Sequence, residues 1–294
     1  MNELLYGLKF KDRSASPELV FELFAALDLF YSSYEDREGD NSFLMIYAET
    51  PEAFAEAKKR FLDAAADWRN FGLELFDFED LTIRREEWSE VWKKYFKIIH
   101  IAPNLVIRPS WLEYEAKSGE AVVRIDPGMS FGTGQHATTS FCLRKVAEEA
   151  GKPGMSKLLD AGCGSGILAI AGALLGYSPV DAFDYDPEAV TVAAENIGLN
   201  GVTEKINLSQ ADVAAFRPIE GGYDLALVNI LSHILIANAR HICGFVRPGG
   251  KLALAGILTA EFDKLSAAFV RCGCEELERF TEREWTSGLF RRRG

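Results

Sequence analysis

The chain has a deficit of basic charge and lacks a long unbroken hydrophobic segment. Its 294 residues contain 32 Lys and Arg against 44 Asp and Glu, a formal net charge of −12. Overall charge of this sign is repelled by nucleic-acid phosphates and anionic membranes, so we expect no direct binding to either and favour a basic partner. Residues 161–180 carry no charge, but their unbroken apolar part is only 167–177. That is well short of the roughly 20 residues of a membrane span.

Cysteine is scarce and has no regular spacing. Five cysteines occur, an odd number without a CxxC pair, and no secretory leader precedes them. Their number and spacing argue against a disulfide framework and against thiolate metal sites. We therefore predict free, buried thiols, no bound metal and a cytoplasmic protein.

The length and the 48% apolar content predict about two domains. We expect an N-terminal α+β domain over 1–83, a connector helix and linker over 84–110, and a larger C-terminal domain over 111–294. In the first domain, apolar periodicity predicts a small sheet with helices on one face, for which the ferredoxin-like fold is the first choice. The predicted strands are 6–10, 42–48 and 73–78, and the predicted helices are 17–29 and 51–68. The acidity is concentrated here, because residues 1–100 contain 13 Lys and Arg against 21 Asp and Glu, a net charge of −8.

Residues 84–97 carry an aromatic stripe at helical spacing, with charged residues between its members. Such a stripe usually marks the buried face of a helix. It therefore predicts a connector helix between the two domains. The stripe consists of Trp88, Val91, Trp92, Tyr95 and Phe96.

From residue 157 onward, short apolar strands alternate with amphipathic helices. This alternation predicts a parallel, doubly wound sheet with helices on both faces, whose ligand crevice lies at the carboxyl ends of the strands. Extended segments are predicted at 157–160, 180–184, 206–209, 223–228 and 251–257, in addition to 105–108 before them. The predicted helices are 165–175, 187–199 and 231–245.

A glycine loop follows the first of these strands. Gly162, Gly164 and Gly166 form a GxGxG pattern between a strand and a helix, where glycine lets the backbone approach a ligand and the helix offers unpaired N–H groups. The spacing differs from the GxGxxG of dinucleotide sites, and no Walker Lys-Ser or Lys-Thr pair follows. The loop therefore favours a nucleoside ligand over a pyrophosphate.

Acidic residues end the next two strands. Asp184 lies 22 positions after Gly162, where an acid commonly binds a ribose diol. Asp186 is better explained as a helix N-cap, because Pro187 follows it at the first helical position. Asp212 has two equal interpretations, an acceptor for an adenine amino group or an exposed loop aspartate.

These residues resemble the class I S-adenosylmethionine-dependent methyltransferases over about 130–294. Segment 126–140, Asp-Pro-Gly-Met-Ser-Phe-Gly-Thr-Gly-Gln-His-Ala-Thr-Thr-Ser, is similar to a signature of the family that methylates ribosomal large-subunit protein eleven. Segment 228–231, Val-Asn-Ile-Leu, resembles that family's Ala-Asn-Ile-Leu. Segment 107–111, the Trp-rich connector and a terminal Glu284-Trp285 strand extend the similarity to nearly the whole chain.

The resemblance implies a seven-stranded, mostly parallel catalytic sheet and S-adenosylmethionine as cofactor. It implies methylation of lysine side chains and of the N-terminal amine of a basic ribosomal protein, recognised by the N-terminal domain. Carried over by position, the cofactor contacts fall on Thr139, Gly162, Gly164, Asp184 and Asn229.

Several alternatives accompany this assignment. Thr139 could cap a helix, Asn229 could satisfy its own turn, and His136 could be a surface or supporting residue. No residue stands out as a catalytic base. The rival functions are methylation of another protein or small amine, and a noncatalytic nucleoside-binding or protein-binding module. A nicotinamide dehydrogenase is a weaker third, because GxGxG is not its pattern.

The chain also departs from the family at two loops. Ala137 stands where a proline is common, and Ser-His-Ile-Leu at 232–235 stands in place of Ala-Gly-Pro-Leu. Proline fixes the backbone φ angle. We therefore expect the loops that flank the acceptor site to be less fixed than in the family, and the sequence assigns the acceptor less securely than the cofactor.

Overall fold

The computed structural model describes residues 4–14, 18–27, 29, 31–34, 43–84, 97–126 and 136–294. It divides into two compact units, Met1–Tyr95 and Phe96–Gly294. Most of the predicted connector helix, including the aromatic residues from 88 to 96, lies outside the described residues. Each unit has its own hydrophobic core.

The first unit is a four-stranded antiparallel sheet with helices in the order βαββαβ. Its strand order is β2-β3-β1-β4, which is the ferredoxin-like arrangement predicted from the sequence. Strand β2 was not predicted, because its four residues, Tyr-Ser-Ser-Tyr, are too few to show apolar alternation. The elements are β1 Leu4–Asp12, α1 Glu18–Leu27, β2 Tyr31–Tyr34, β3 Phe43–Ala48, α2 Pro51–Trp68 and β4 Leu75–Arg84.

Three buried phenylalanines form the centre of this unit. The ring of Phe10 lies 4.9 Å from that of Phe61, and the rings of Phe61 and Phe24 are 5.8 Å apart, centroid to centroid. Helix α2 begins where predicted because Thr50 accepts a hydrogen bond from the Ala53 N–H at 3.2 Å. The N-cap therefore fixes the start of this helix locally. Burial of its apolar face holds the helix against the sheet.

The second unit contains a seven-stranded sheet of order β10-β9-β8-β11-β12-β14-β13. The first five strands in that order pair in parallel, and the last two add antiparallel. This confirms the predicted doubly wound, mostly parallel sheet. Its strands are β8 Leu158–Ala161, β9 Val180–Asp184, β10 Ile206–Gln210, β11 Tyr223–Asn229, β12 Val246–Ala255, β13 Cys274–Glu282 and β14 Trp285–Arg292.

Six helices flank this sheet among the described residues: α3 Ala137–Glu149, α4 Ile167–Leu174, α5 Pro187–Leu199, α6 Ser232–Ala237, α7 Ala239–Cys243 and α8 Thr259–Arg271. The single helix predicted over 231–245 was wrong, since α6 and α7 are separated at Asn238. Helix α4 starts two residues later than predicted. Gly166 before it has φ 78°, a left-handed conformation that ends the loop and cannot belong to the helix.

A small three-stranded sheet precedes α3 within the same unit. It consists of β5 Ile99–Ala102, β6 Leu105–Arg108 and β7 Ala121–Arg124, in the order β5-β6-β7. Only β6 was predicted as extended. Its Leu105 and Ile107 join Val123 in the core shared with α3 and α4.

The uncharged stretch 161–180 forms the glycine loop, the buried helix α4 and the connection to β9. In the described part of the chain, no helix combines the length and apolar character needed to cross a membrane. All five cysteines are free thiols, four of them buried.

Candidate cofactor site

The glycine loop connects β8 to α4 and is tied to the end of β9. The N–H groups of Gly162 and Cys163 both donate to the Phe183 carbonyl at 2.9 Å, and Gly166 N–H donates back to Cys163 at 2.8 Å. Gly162, Gly164 and Gly166 all have positive φ, at 74°, 52° and 78°. This left-handed conformation strongly favours glycine, so the sequence pattern follows directly from the backbone path.

Close packing also requires glycine in this loop. A Cβ atom on Gly162 would lie 2.4 Å from Cγ2 of Ile230, and one on Gly166 would lie 3.2 Å from Cβ of Ala193. The first contact is impossible without movement. The loop therefore lies directly against the residue that follows β11.

Asp184 lies at the carboxyl end of β9, as predicted, and its carboxylate is in contact with the glycine loop. Oδ2 accepts a hydrogen bond from the Gly164 N–H at 2.8 Å, and Oδ1 accepts one from the Asp186 N–H at 3.0 Å. The side chain is half-buried. Each carboxylate oxygen can accept a further bond, so this orientation leaves capacity for a pair of hydroxyl groups.

The two other aspartates near these strand ends have local partners. Asp186 is exposed and caps α5, accepting from the Glu188 N–H at 2.8 Å. The predicted N-cap is thus confirmed. Asp212 is also exposed, and its Oδ1 accepts from the Ala214 N–H at 2.8 Å within a turn.

Thr139 and Asn229 lie side by side although they are 90 residues apart in the chain. Nδ2 of Asn229, the last residue of β11, donates to Oγ1 of Thr139 at 3.4 Å. Oδ1 of Asn229 is buried and has no hydrogen-bond partner among the described residues. An unsatisfied buried acceptor is costly, so this atom marks a place for a ligand donor.

The suggested capping role of Thr139 was wrong. Helix α3 begins at Ala137 with His136 as its N-cap residue, so Thr139 lies inside the first turn, 1% exposed. His136 contacts Thr138, with 2.7 Å from Nδ1 to Oγ1, and its ring packs edge-on against Trp285 at 5.1 Å between centroids. The rest of the predicted signature, residues 127–135, lies outside the described residues.

Asp160 begins the Asp-x-Gly-x-Gly-x-Gly pattern of the resemblance but was given no role from the sequence; it lies behind the glycine loop, near the end of β8. Its Oδ2 accepts from the Ala169 N–H at 3.0 Å, while its buried Oδ1 has no partner in the described part of the chain. Burial, with a smaller contribution from the Asp184 charge, raises the pKa of the Asp160 carboxyl to about 7. The signal available in the sequence was an acid immediately before a glycine loop.

These groups fit the parts of S-adenosylmethionine. Asp184 offers carboxylate oxygens for a ribose diol, and the positive-φ glycines allow a ligand to approach the backbone closely. Two buried oxygen atoms, one on Asp160 and one on Asn229, have no hydrogen-bond partner among the described residues. All of them lie at the carboxyl ends of neighbouring strands β8, β9 and β11, where a doubly wound sheet binds its ligand. Fold and site together define a class I S-adenosylmethionine-dependent methyltransferase.

Comparison with known proteins identifies the family. The family described as Ribosomal protein L11 methyltransferase (PrmA) matches residues 32–293. The chain belongs to this family. It is 42% identical over 214 residues to the ribosomal protein L11 methyltransferase of Citrifermentans bemidjiense, covering 71% of this chain and 68% of that protein. It is 34% identical over 273 residues to that of Streptococcus agalactiae serotype V, covering 89% and 85%.

A solved structure supports the same assignment. The ribosomal protein L11 methylase from Lactobacillus delbrueckii subsp. bulgaricus matches with a TM-score of 0.60 at 28% identity. The match covers 68% of this chain and 100% of that one.

Proposed function

We propose that this protein methylates ribosomal protein L11 with S-adenosylmethionine, and that the acceptors are lysine side chains and the N-terminal amine. The family match over residues 32–293 carries the choice of substrate protein. The choice of amines comes from the sequence resemblance, supported by an oxygen acceptor beside the glycine loop, Oδ1 of Asn229.

The bound cofactor supplies a methyl group on a sulfonium, so the protein has to hold a neutral amine in line with it. At pH 7, deprotonating a lysine of pKa about 10.4 costs roughly 4.6 kcal/mol, against about 1 kcal/mol for an α-amine of pKa about 7.7. Desolvation in a closed site lowers the pKa of a lysine further. A dedicated base is therefore not required for the α-amine.

We assign Asn229 the role of orienting the acceptor amine. Its Nδ2 is directed to Thr139, so the amide oxygen is the atom left to accept an N–H from a ligand. Thr139 would act by holding the amide in this orientation. Gly162 and Gly164 would admit the cofactor to the loop backbone, and Asp184 would bind its ribose.

We assign recognition of the basic substrate to the N-terminal unit because this unit carries a net negative charge. Exposed carboxylates on β4 and on the residue before it already pair with cations of the same unit: Glu79 with Lys9 at 3.4 Å, Glu74 with Arg13 at 3.1 Å, and Asp80 with Lys58. Exposed pairs of this kind contribute only about 0–1 kcal/mol each. Exchanging such a partner for a substrate lysine or arginine therefore costs little.

Mass spectrometry of ribosomal protein L11 after incubation with enzyme and S-adenosylmethionine tests the proposal. Mass increases in multiples of one methyl group, on lysines and on the N-terminus, are expected. An unmodified protein, with labelled methyl appearing on a different protein or amine, would refute the choice of substrate. Absence of S-adenosylmethionine binding in calorimetry would indicate a noncatalytic module.

We also propose that the protein works in the cytoplasm. The support is the cysteine content, because five cysteines without a CxxC pair are typical of a reducing compartment. The buried thiols of Cys243 and Cys274 are neighbours. Exposure of the purified protein to an oxidant and mapping of its disulfides would show whether this pair depends on that environment.

A further inference from the structure

The helix that follows Asn229 begins with a buried serine whose hydroxyl group bonds to another helix. Ser232, the first residue of α6, is 6% exposed, and its Oγ donates to Oε2 of Glu261 in the first turn of α8. Helix α6 has only six residues, and Leu231 at its N-cap makes no side-chain cap bond. A helix of this length is unstable in isolation, so its position depends on tertiary contacts such as this one.

Glu261 is itself held in place, because the start of α8 is bonded to the turn before β14. The backbone N–H and the Oγ1 of Thr259 both contact the Glu284 carbonyl, at 2.8 and 2.9 Å. The same hydroxyl lies 2.9 Å from Oγ1 of Thr286. The first turn of α8, which carries Glu261, is therefore anchored to the end of the sheet.

Residues 229–231, named here the acceptor loop, are held at the other end by the backbone after β12. A Cβ on Gly256 would lie 2.6 Å from the carbonyl oxygen of Ile230. Leu231 follows and is 59% exposed. The loop is thus packed at Ile230, bonded through Ser232, and open to solvent between these two points.

We propose that Glu261, acting through Ser232, is a positioning residue for methyl transfer. The bond holds the acceptor loop so that Asn229 meets the amine in the reactive geometry. Because a six-residue helix without a side-chain cap cannot hold this position by itself, the hydrogen bond from a buried hydroxyl to a carboxylate supplies the constraint. The inference rests on the proposed function for its substrate.

Three variants test the role: Ser232→Ala, Glu261→Ala and Glu261→Gln. We expect Ser232→Ala and Glu261→Ala to lower kcat on ribosomal protein L11 by about tenfold or more, since small misplacements of reacting groups are costly. Glu261→Gln should retain most of the activity, because its amide oxygen still accepts the serine hydroxyl. The Kd for S-adenosylmethionine should stay within about twofold of wild type in all three, since neither residue contacts the glycine loop or Asp184.

Ser266→Ala is the matched control. Ser266 is a buried serine on the same helix and also donates to a glutamate, Glu276 on β13, away from the acceptor loop. Its replacement should leave kcat unchanged. An equal loss of kcat in Ser266→Ala, or a Glu261→Gln variant as impaired as Glu261→Ala, would overturn the positioning role.

Hydrogen exchange of the full-length protein separates this inference from the choice of substrate. Ser232→Ala should accelerate exchange of the backbone amides from 230 to 235, and Ser266→Ala should not. If wild-type enzyme failed to methylate ribosomal protein L11 while this exchange pattern was observed, the proposed substrate would be refuted and the loop constraint would still be supported. Unchanged exchange in Ser232→Ala would refute the constraint itself.

Discussion

Gly162 and Ile230 approach so closely that a single added carbon on Gly162 would lie 2.4 Å from Cγ2 of Ile230. One residue belongs to the loop after β8 and the other to the loop after β11. Because both loops follow adjacent parallel strands, this contact joins the proposed cofactor site to the proposed acceptor site. A side chain added at Gly162 should therefore disturb both sites.

Gly162→Ala should lower the affinity for S-adenosylmethionine by about tenfold or more, because relieving the overlap displaces the loop. Calorimetric titration measures this. Gly176→Ala is the control, since Gly176 also has a positive φ, 93°, but has open space where its Cβ would lie. It should cost about 1–2 kcal/mol of stability from backbone strain alone and leave the affinity unchanged. Adding Ile230→Ala to Gly162→Ala should restore part of the binding; no recovery would exclude the overlap as the cause.

Asp184→Ala should raise the Kd for S-adenosylmethionine by about 10- to 100-fold, the effect of losing charge-assisted hydrogen bonds. Asp186→Ala is its counterpart two residues along. It should lower the unfolding free energy by about 1 kcal/mol, because Asp186 caps α5, and change the Kd less than about twofold. Similar losses of affinity in the two variants would contradict separate roles for these aspartates.

Thr139→Val should lower kcat by about tenfold while changing the Kd for the cofactor less, because the Asn229 amide loses the bond that orients it. Thr138→Val is the matched control, as Thr138 is equally buried but contacts His136 instead. Asn229→Ala should lower kcat even at saturating cofactor. If Asn229→Ala weakened cofactor binding only and kept full turnover, Asn229 would not orient the amine.

Asp160 should make the protein less stable as the pH rises. Its pKa is raised from 3.8 to about 7, so between these values the folded state keeps a proton that the unfolded chain has released. The resulting stabilisation is complete below pH 3.8 and is lost as the pH rises through about 7. Wild type should therefore lose about 2–3 kcal/mol of unfolding free energy between about pH 5 and about pH 8.5 that Asp160→Asn, which has no carboxyl group to titrate there, does not lose. Denaturant titrations at both pH values measure this, and parallel pH profiles would contradict it.

Removing the first compact unit, residues 1–95, should abolish methylation of ribosomal protein L11 and leave S-adenosylmethionine binding intact. The glycine loop, Asp184 and Asn229 all belong to the second unit. In the full-length enzyme, higher ionic strength should raise KM for the ribosomal protein, since exposed charges are screened by salt. Unchanged methylation by the truncated enzyme would rule out substrate recognition by the first unit.

Elements with a local signal were predictable. Helix α2 was predicted from Pro51 to about Trp68, because a proline at its start and an apolar face lie within one stretch of sequence. The glycine loop and Asp184 were found because their spacing reflects one strand-loop-helix unit. The four-residue strands β2, β5 and β7 were missed, since pairing with a neighbouring strand, and not their own pattern, makes them strands.

By itself, the sequence determined the fold class, the cofactor type suggested by GxGxG and Asp184, and the resemblance that led to the family. These features depend on residues close together in the chain, where spacing and backbone preference suffice. Only the tertiary structure decided that Thr139 lies beside Asn229, that Ile230 packs against Gly162, and that Ser232 bonds to Glu261. Each of these contacts joins segments 29 to 90 residues apart, which packing brings together and which sequence periodicity does not reveal.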